Sequence, residues 1–342
     1  MSCKTFILIL NWNNWKDTVH CLESVFRNTG ADSQVIVLDN GSKDGSVDRI
    51  TQWAAGGLKV SEADSVADNK PIPHIVYDRE TAEKGGMPEK EKGLYGQLKS
   101  VSHPLIIIRT GWNLGYAGGN NVGIRYALKK SGFDYIWILN NDTEIKKDTL
   151  PEMIACAESD EKTGMVGSKL LYHHNPAFIQ MAGGGRINPY AGNVAIIAGN
   201  ARDDGKWDHP FELDYACGAS LLVRKKAIES VGLMDEKYFL YWEDVDWGVR
   251  ARRKGFKLAY CPKSVLLHKE GGTSGSLSPK TDYYWVRNGL YFTRKFYPYF
   301  LPLIPFSYLV KHTVIRKLKR QPLNFKSYLR GLKDFLLGKT GP

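Results

Sequence analysis

The chain has 342 residues, 43% hydrophobic and 24% charged, a composition that suits one large globular domain with appendages and excludes a disordered chain. Its formal net charge of +11 is unevenly placed: eleven Lys or Arg and one acid, Asp334, fall in the last 49 residues, so a nucleic-acid-binding face on the near-neutral body is not expected. Five scattered cysteines (Cys3, Cys21, Cys156, Cys217, Cys261) without a C-x-x-C spacing exclude a disulfide framework and a zinc site and point to buried thiols in a reducing compartment.

Thr5–Leu10 reads as a first strand and is too short and too weakly flanked for a signal peptide; a cytoplasmic location is expected. No run of about 18 apolar residues suggests a spanning helix. Val19, Leu22, Val25 and Phe26 recur at helical spacing between Trp15 and Asn28, and Gln34–Leu38 is a second strand, so the segment predicts a right-handed βαβ unit. Asp39 stands at the end of that second strand, where an acid accepts hydrogen bonds from a nucleotide or simply belongs to the Asp39-Asn-Gly turn. Residues 54–102 are rich in Gly, Pro, Lys and Glu and predict an insertion of loops with short local structure, exposed and mobile near Lys84–Lys92.

Leu105–Ile108 predicts a third strand. Gly111, Gly115, Gly118 and Gly119 follow, before a helix expected over Asn121–Lys130. Glycines there let backbone approach a phosphate at a helix start, but their spacing matches neither a P-loop nor a dinucleotide fingerprint. The fourth strand, Tyr135-Ile-Trp-Ile-Leu139, is an apolar run ending in Asn140, Asn141 and Asp142, as for a buried parallel strand with a ligand at its carboxyl edge. Asp142 reads either as a helix N-cap, with Thr143 and Glu144 following, or as a ligand. A helix over Lys147–Ser159, a strand over Gly164–Tyr172 and antiparallel ribbon over residues 173–213 are expected next. After a short helix at Lys225–Val231, Glu243, Asp244 and Asp246 open a helix that stops at Gly255. Strands at Lys257–Tyr260 and Ser264–His268 complete the series.

Asn11-Trp-Asn-Asn14, Leu38-Asp-Asn-Gly-Ser42, Asn113-Leu-Gly-Tyr-Ala-Gly-Gly-Asn-Asn121, Leu139-Asn-Asn-Asp-Thr143 and Tyr238-Phe-Leu-Tyr-Trp-Glu-Asp-Val-Asp-Trp247 occur in one order. In this the chain resembles the family 2 inverting glycosyltransferases, in the rhamnosyltransferase-like branch, from about Thr5 to Phe296. The resemblance implies an α/β fold of the GT-A type with a mostly parallel sheet over residues 1–293; the charge distribution sets off a basic amphipathic extension over 294–342. The resemblance also implies a nucleoside diphosphate sugar donor (dTDP- or UDP-linked) and a glycan or lipid-linked glycan acceptor. Asn11, Asp39, Asn113, Gly118 and Asn141 would surround the nucleotide sugar, and Trp242 or Tyr241 would stack on a sugar face or belong to the core. Asp142 and His268 would hold Mg²⁺ or Mn²⁺ against the diphosphate, the imidazole tilting the choice toward Mn²⁺. Asn140 departs from the family pattern, which has an acid there. Asp244 would be the base that deprotonates the acceptor, with Glu243 orienting it. A catalytically silent nucleotide-sugar-binding or scaffold protein of polysaccharide assembly is the alternative that Asn140 leaves open.

In the extension, Phe325, Tyr328, Leu329, Leu332, Phe335 and Leu336 form a helical stripe opposite Lys and Arg, a pattern suited to an anionic membrane surface or to packing on the domain.

Overall fold

Five short segments dominated by Ile, Val and Leu build half of one sheet. β1 (Thr5–Asn11), β2 (Ser33–Asp39), β3 (His74–Asp78), β4 (Leu105–Arg109) and β5 (Tyr135–Asn140) pair in parallel in the order β5-β1-β2-β4-β3. The computed structural model describes residues 5–58, 70–99, 101–269, 278–318 and 324–342. Because side chains alternate along a strand, each central strand feeds both faces. Ile7, Ile9, Val35 and Val37 meet α1 (Trp15–Asn28) and α2 (Ser46–Ala54) on one side. Phe6, Leu8, Ile36 and Leu38 meet α5 (Gly115–Leu128) on the other.

The region expected as an insertion of loops carries β3, the edge strand of this sheet, with α3 (Arg79–Glu83) and α4 (Pro88–Tyr95) after it. An edge strand is covered on fewer sides, so its sequence lacks the continuous apolar run that marks β1, β2 and β4. The Lys84–Lys92 piece, expected to be mobile, is held through Glu91, which accepts from Tyr77 (2.9 Å) and Lys130 (2.7 Å).

The other half is mixed. β6 (Thr143–Ile145), α6 (Thr149–Glu158), β7 (Thr163–Tyr172), β8 (Asn175–Ala182), β9 (Gly184–Asn188), β10 (Asn193–Ile196), β11 (Ala201–Arg202), β12 (Tyr215–Ala216) and β13 (Ser220–Arg224) follow in order. β13 runs antiparallel between β5 and β7, and β9, β10 and β12 form a separate antiparallel sheet, in keeping with the ribbon expected there. α7 (Lys225–Val231) and α8 (Glu243–Arg253) lead to β14 (Lys257–His268), one strand with an irregularity between Cys261 and Val265 where two strands were expected. β14 lies parallel to β7 and antiparallel to β6, with His268 opposite Thr143.

α9 (Pro279–Phe296) runs across the boundary expected between residues 293 and 294. α10 (Ile304–Leu318) and α11 (Phe325–Leu336) complete the chain, and α11 docks on α9. Arg287, fully buried, donates to the Gly341 carbonyl (2.7 Å), Tyr291 to the Lys339 carbonyl (2.9 Å) and Tyr283 to Asp334 (2.9 Å). Tyr328 and Phe335, members of the expected membrane stripe, are thereby buried. No helix among the described residues is long and apolar enough to cross a membrane. Cys21, Cys156, Cys217 and Cys261 are free thiols, Cys21 and Cys261 buried.

Candidate active site

The parallel strands β1, β2 and β5 end together, and buried side-chain amides stitch their ends. Asn11 donates to Asp39 Oδ1 (2.9 Å) and to Ser42 Oγ (3.1 Å), while its own oxygen accepts from Thr18 (2.7 Å). Asn141 donates to the same Thr18 hydroxyl (2.9 Å). Asn11 is fully buried with its amide committed to protein partners, so it acts by aiming Asp39. Both oxygens of Asp39 already have one donor, Asn11 and the Ser42 backbone N–H, and each keeps a second lone pair.

The glycine-rich stretch does not form an open phosphate loop. The helix expected from Asn121 begins at Gly115, and its first N–H groups are taken: Leu114 by Asn40, Gly115 by Asn113 and Tyr116 by the Phe239 carbonyl. A methyl group on Gly119 would strike Leu10 and Asn40, and one on Gly123 would strike Leu38 and Leu8. These positions, four apart on one helix face, therefore serve close contact of α5 with β1 and β2. Gly118 lies in the same first turn, beneath the Leu114 side chain. Asn113 accepts from Asn40 (3.1 Å) and from Gly115 (2.9 Å), shaping the turn between β4 and α5.

Asp142 caps no helix, because Thr143 turns at once into β6. Pairing of β6 with β14 brings His268 to it, with Nε2 3.2 Å from Asp142 Oδ1, and Asn140 Nδ2 is 3.4 Å from the same nitrogen. Gln180, on β8, accepts from His268 Nδ1 at 2.5 Å. A carboxamide oxygen only accepts, so this bond turns the imidazole with Nε2 toward Asp142. A proton on Nε2 or a cation between the two atoms holds them at this distance. Two adjacent ligand atoms of a hard cation, each about 2.1 Å from it, stand about 3 Å apart, so the pair fits a divalent ion. Among the described residues no group of three or more His, Cys, Asp or Glu converges, so the pair would offer such an ion one carboxylate and one imidazole. Oxygens of a bound diphosphate would complete the donor set.

The acidic cluster is set by a strained elbow. Tyr241 (φ 67°) and Trp242 (φ 78°) are successive left-handed residues with side chains, each costing on the order of 1–3 kcal/mol. The Trp242 ring packs between Trp285 and Phe292 (centroids 5.2 and 4.9 Å), and its indole N–H reaches the Trp285 carbonyl. Asn288 donates to the carbonyls of Leu240 (2.8 Å) and Tyr241 (3.2 Å). Trp242 is thus core, 2% exposed and out of reach of a sugar, while Tyr241 stays half-buried beside it.

Beyond the elbow the three acids divide. Asp246 is fully buried and ion-paired to Arg250 (2.6 Å) and Lys295 (2.5 Å), so its role is to bind α8 to α9. Glu243 is 5% exposed with Oε2 unpartnered, and burial followed by the neighbouring Asp244 charge pushes its carboxyl well above the ordinary value. Asp244 is half-buried and accepts from the backbone N–H of Gly218 (3.1 Å) and of Val245 (2.8 Å). Burial raises its carboxyl too, and the two backbone donors pull it back. Glu243 is therefore the more strongly raised of the pair, while the backbone donors favour the charged form of Asp244. The hydroxyl of Tyr116 donates to Gly218 O (2.6 Å), and after burial the charges that bear on it include Asp244, Glu243 and Asp142. Both acidic centres therefore lie within electrostatic reach of Tyr116.

Sequence reasoning brought together Asp39, Asp142, Asp244 and His268 and missed Thr18, Gln180 and Gly218. Gln180 lies in a segment read only as ribbon, and nothing in its neighbours marks it. Thr18 and Gly218 act through single hydrogen bonds that no pattern announces.

A mixed sheet whose strand ends gather an acid after β2, an acid–imidazole pair after β5 and a raised carboxylate at a helix start is the frame of a nucleotide-sugar enzyme. The model of the family described as Glycosyl transferase family 2 matches residues 6–63 and 91–231, and the chain belongs to that family. It is 24% identical over 246 residues to the dTDP-rhamnosyl transferase RfbF of Shigella flexneri, covering 69% of this chain and 79% of that protein. It is 26% identical over 165 residues to the low-salt glycan biosynthesis hexosyltransferase Agl10 of Haloferax volcanii, covering 48% of this chain and only 51% of that protein. To the N-acetylglucosaminyl-diphospho-decaprenol L-rhamnosyltransferase of Mycobacterium tuberculosis it is 22% identical over 228 residues, covering 62% and 71%. The fold is that of the mannosyltransferase PcManGT from Pyrobaculum calidifontis, solved with GDP-Man and Mn²⁺ (TM-score 0.53, 10% identity, 99% of this chain and 88% of that one). It is shared with GalNAc-T7, solved with UDP, GalNAc and Mn²⁺ (TM-score 0.53, 13% identity, 84% and 51%). The fold is therefore GT-A, as the motifs implied.

Proposed function

We propose that this chain transfers a sugar, with inversion, from a nucleoside diphosphate sugar to a hydroxyl of a glycan or lipid-linked glycan acceptor. The observation that carries the reading is Asp244: a carboxylate raised by burial and fixed by the Gly218 and Val245 N–H groups just beyond a strained elbow, in a chain that also pairs Asp142 with His268. Asp39, aimed by Asn11, accepts from the nucleotide. Asp142 and His268 would hold a divalent cation, Mg²⁺ or Mn²⁺, whose chemistry is to neutralise charge on the departing diphosphate. Asp244 removes the proton of the acceptor hydroxyl as its oxygen bonds to the anomeric carbon and the bond to the diphosphate breaks. The names of two relatives make L-rhamnose from a dTDP donor the first sugar to try.

The test is a panel of dTDP-, UDP- and GDP-sugars with Mn²⁺ or Mg²⁺, read as nucleoside diphosphate release with and without acceptor, on the wild type and on Asp142→Ala. Metal-dependent release by the wild type, lost in the variant, is expected. Donor binding with no turnover on any acceptor would instead favour a silent scaffold, and metal-independent turnover would remove Asp142 from its role.

A further inference from the structure

Ten of the sixteen exposed large apolar side chains among the described residues lie between Tyr299 and Leu337. Six of them, Tyr299, Leu303, Phe306, Val310, Val314 and Leu318, belong to α10 and the turn before it. From Leu303 onward their spacing is three or four residues, so they line one side of the helix as a stripe about 120° wide. The stripe is open to solvent: Phe306 is 72% exposed and Leu318 79%. The opposite side of α10 is seated, with Ile304 against Gly192 and Tyr308 bonded to the Gly192 carbonyl. An apolar stripe of this extent on an otherwise polar surface is a contact site.

Charge says what it contacts. Lys311 to Arg320 supplies five Lys or Arg and no acid, and the last 49 residues hold eleven against one. A protein partner or a second copy of this chain would have to supply the matching acids, and a second copy would bring the same positive charge. A bilayer with anionic headgroups supplies both the apolar layer and the negative plane.

We infer that α10 is a membrane-surface helix that seats this protein, apolar stripe down, on an anionic bilayer. The expected stripe at residues 325–337 contributes only its remaining outer edge, Phe325, Leu329, Leu336 and Leu337, because Tyr328 and Phe335 are spent on packing. The position of α10 gives the docking a use. Its Tyr308 closes on Gly289 of α9, and Trp242 of the elbow closes on the same glycine, so one layer of protein separates the seated helix from the residues that aim Asp244. An acceptor carried in the membrane would then be held near the residues that aim Asp244. That use rests on the transferase reading; the docking does not.

Full-length protein mixed with vesicles of phosphatidylcholine alone, or with about one third phosphatidylglycerol, tests this by cosedimentation. Binding is expected to the anionic vesicles only, weakened by salt. Phe306→Asp combined with Val314→Asp alters two solvent-facing positions and should weaken binding at least about tenfold, with unchanged circular dichroism and unchanged donor hydrolysis. Lys317→Glu should cost about fivefold or more, since each basic residue near an anionic surface contributes about that factor. Absence of binding to either vesicle, equal binding to both, or full binding by the double variant would overturn the inference. So would a wild-type dimer that the double variant dissolves while vesicle binding persists. Loss of binding in a variant that still hydrolyses donor separates this inference from the transferase proposal.

Discussion

Replacing Asp244 by Asn keeps the side-chain shape and removes the charge. General-base catalysis contributes about 100- to 10,000-fold, so kcat should fall by that factor, which is about 2.7–5.5 kcal/mol of barrier. The structure bounds the side effects. Asp244 accepts from Gly218 N–H through one oxygen and from Val245 N–H through the other, and an amide can serve only one of these donors. One N–H is left unpaired, a stability loss of about 1–3 kcal/mol visible in urea denaturation. The nucleotide contact proposed for Asp39 is on another strand end, so nucleotide affinity by calorimetry should stay within about twofold. The wild-type pH profile is a second readout. Burial lifts the Asp244 carboxyl above 3.8, so kcat/KM should be full above that raised value and fall as pH drops through it. The residual activity of the variant should lack this limb. A kcat within about threefold of wild type, with an unchanged acid limb, would refute the assignment of the base.

Three further outcomes follow from the same geometry. Glu243 holds its proton well above 4.5 in the fold, so the folded state binds that proton more tightly than the unfolded one and stability declines as pH rises from about 4.5 toward the raised value. Glu243→Gln should therefore gain thermal stability over wild type at about pH 8 and little at about pH 4; a gain independent of pH would mean that Glu243 is not the protonated partner. Gln180→Ala frees His268 to rotate and change tautomer, and should weaken Mn²⁺ binding measured by calorimetry about 10- to 100-fold, while Gln180→Glu retains much of it. Unchanged Mn²⁺ affinity in Gln180→Ala would show that His268 is aimed by something else. Asp246→Ala leaves Arg250 and Lys295 facing each other without their shared carboxylate and should destabilise the protein by about 3–5 kcal/mol in denaturant titration; a loss below about 1 kcal/mol would show that the pair is solvated instead.

The amino-acid order by itself determined the parallel half of the sheet, because β1, β2, β4 and β5 are buried on both faces and such strands need unbroken apolar runs. It also determined which acids stand at strand ends and at the start of α8, since those positions are local to their elements. Three things were decided only by tertiary structure. β3 was hidden because an edge strand carries no such run. The glycines after β4 seemed to cradle a ligand and instead admit α5 to the sheet, which depends on Leu8, Leu10 and Leu38 lying beneath them. The division among Glu243, Asp244 and Asp246 could not be read from three acids in four positions. It depends on which one meets Gly218, which one meets Arg250 and Lys295, and which one is buried with an oxygen unpartnered. Those partners lie between four and 49 residues away in the chain, and only folding brings them together.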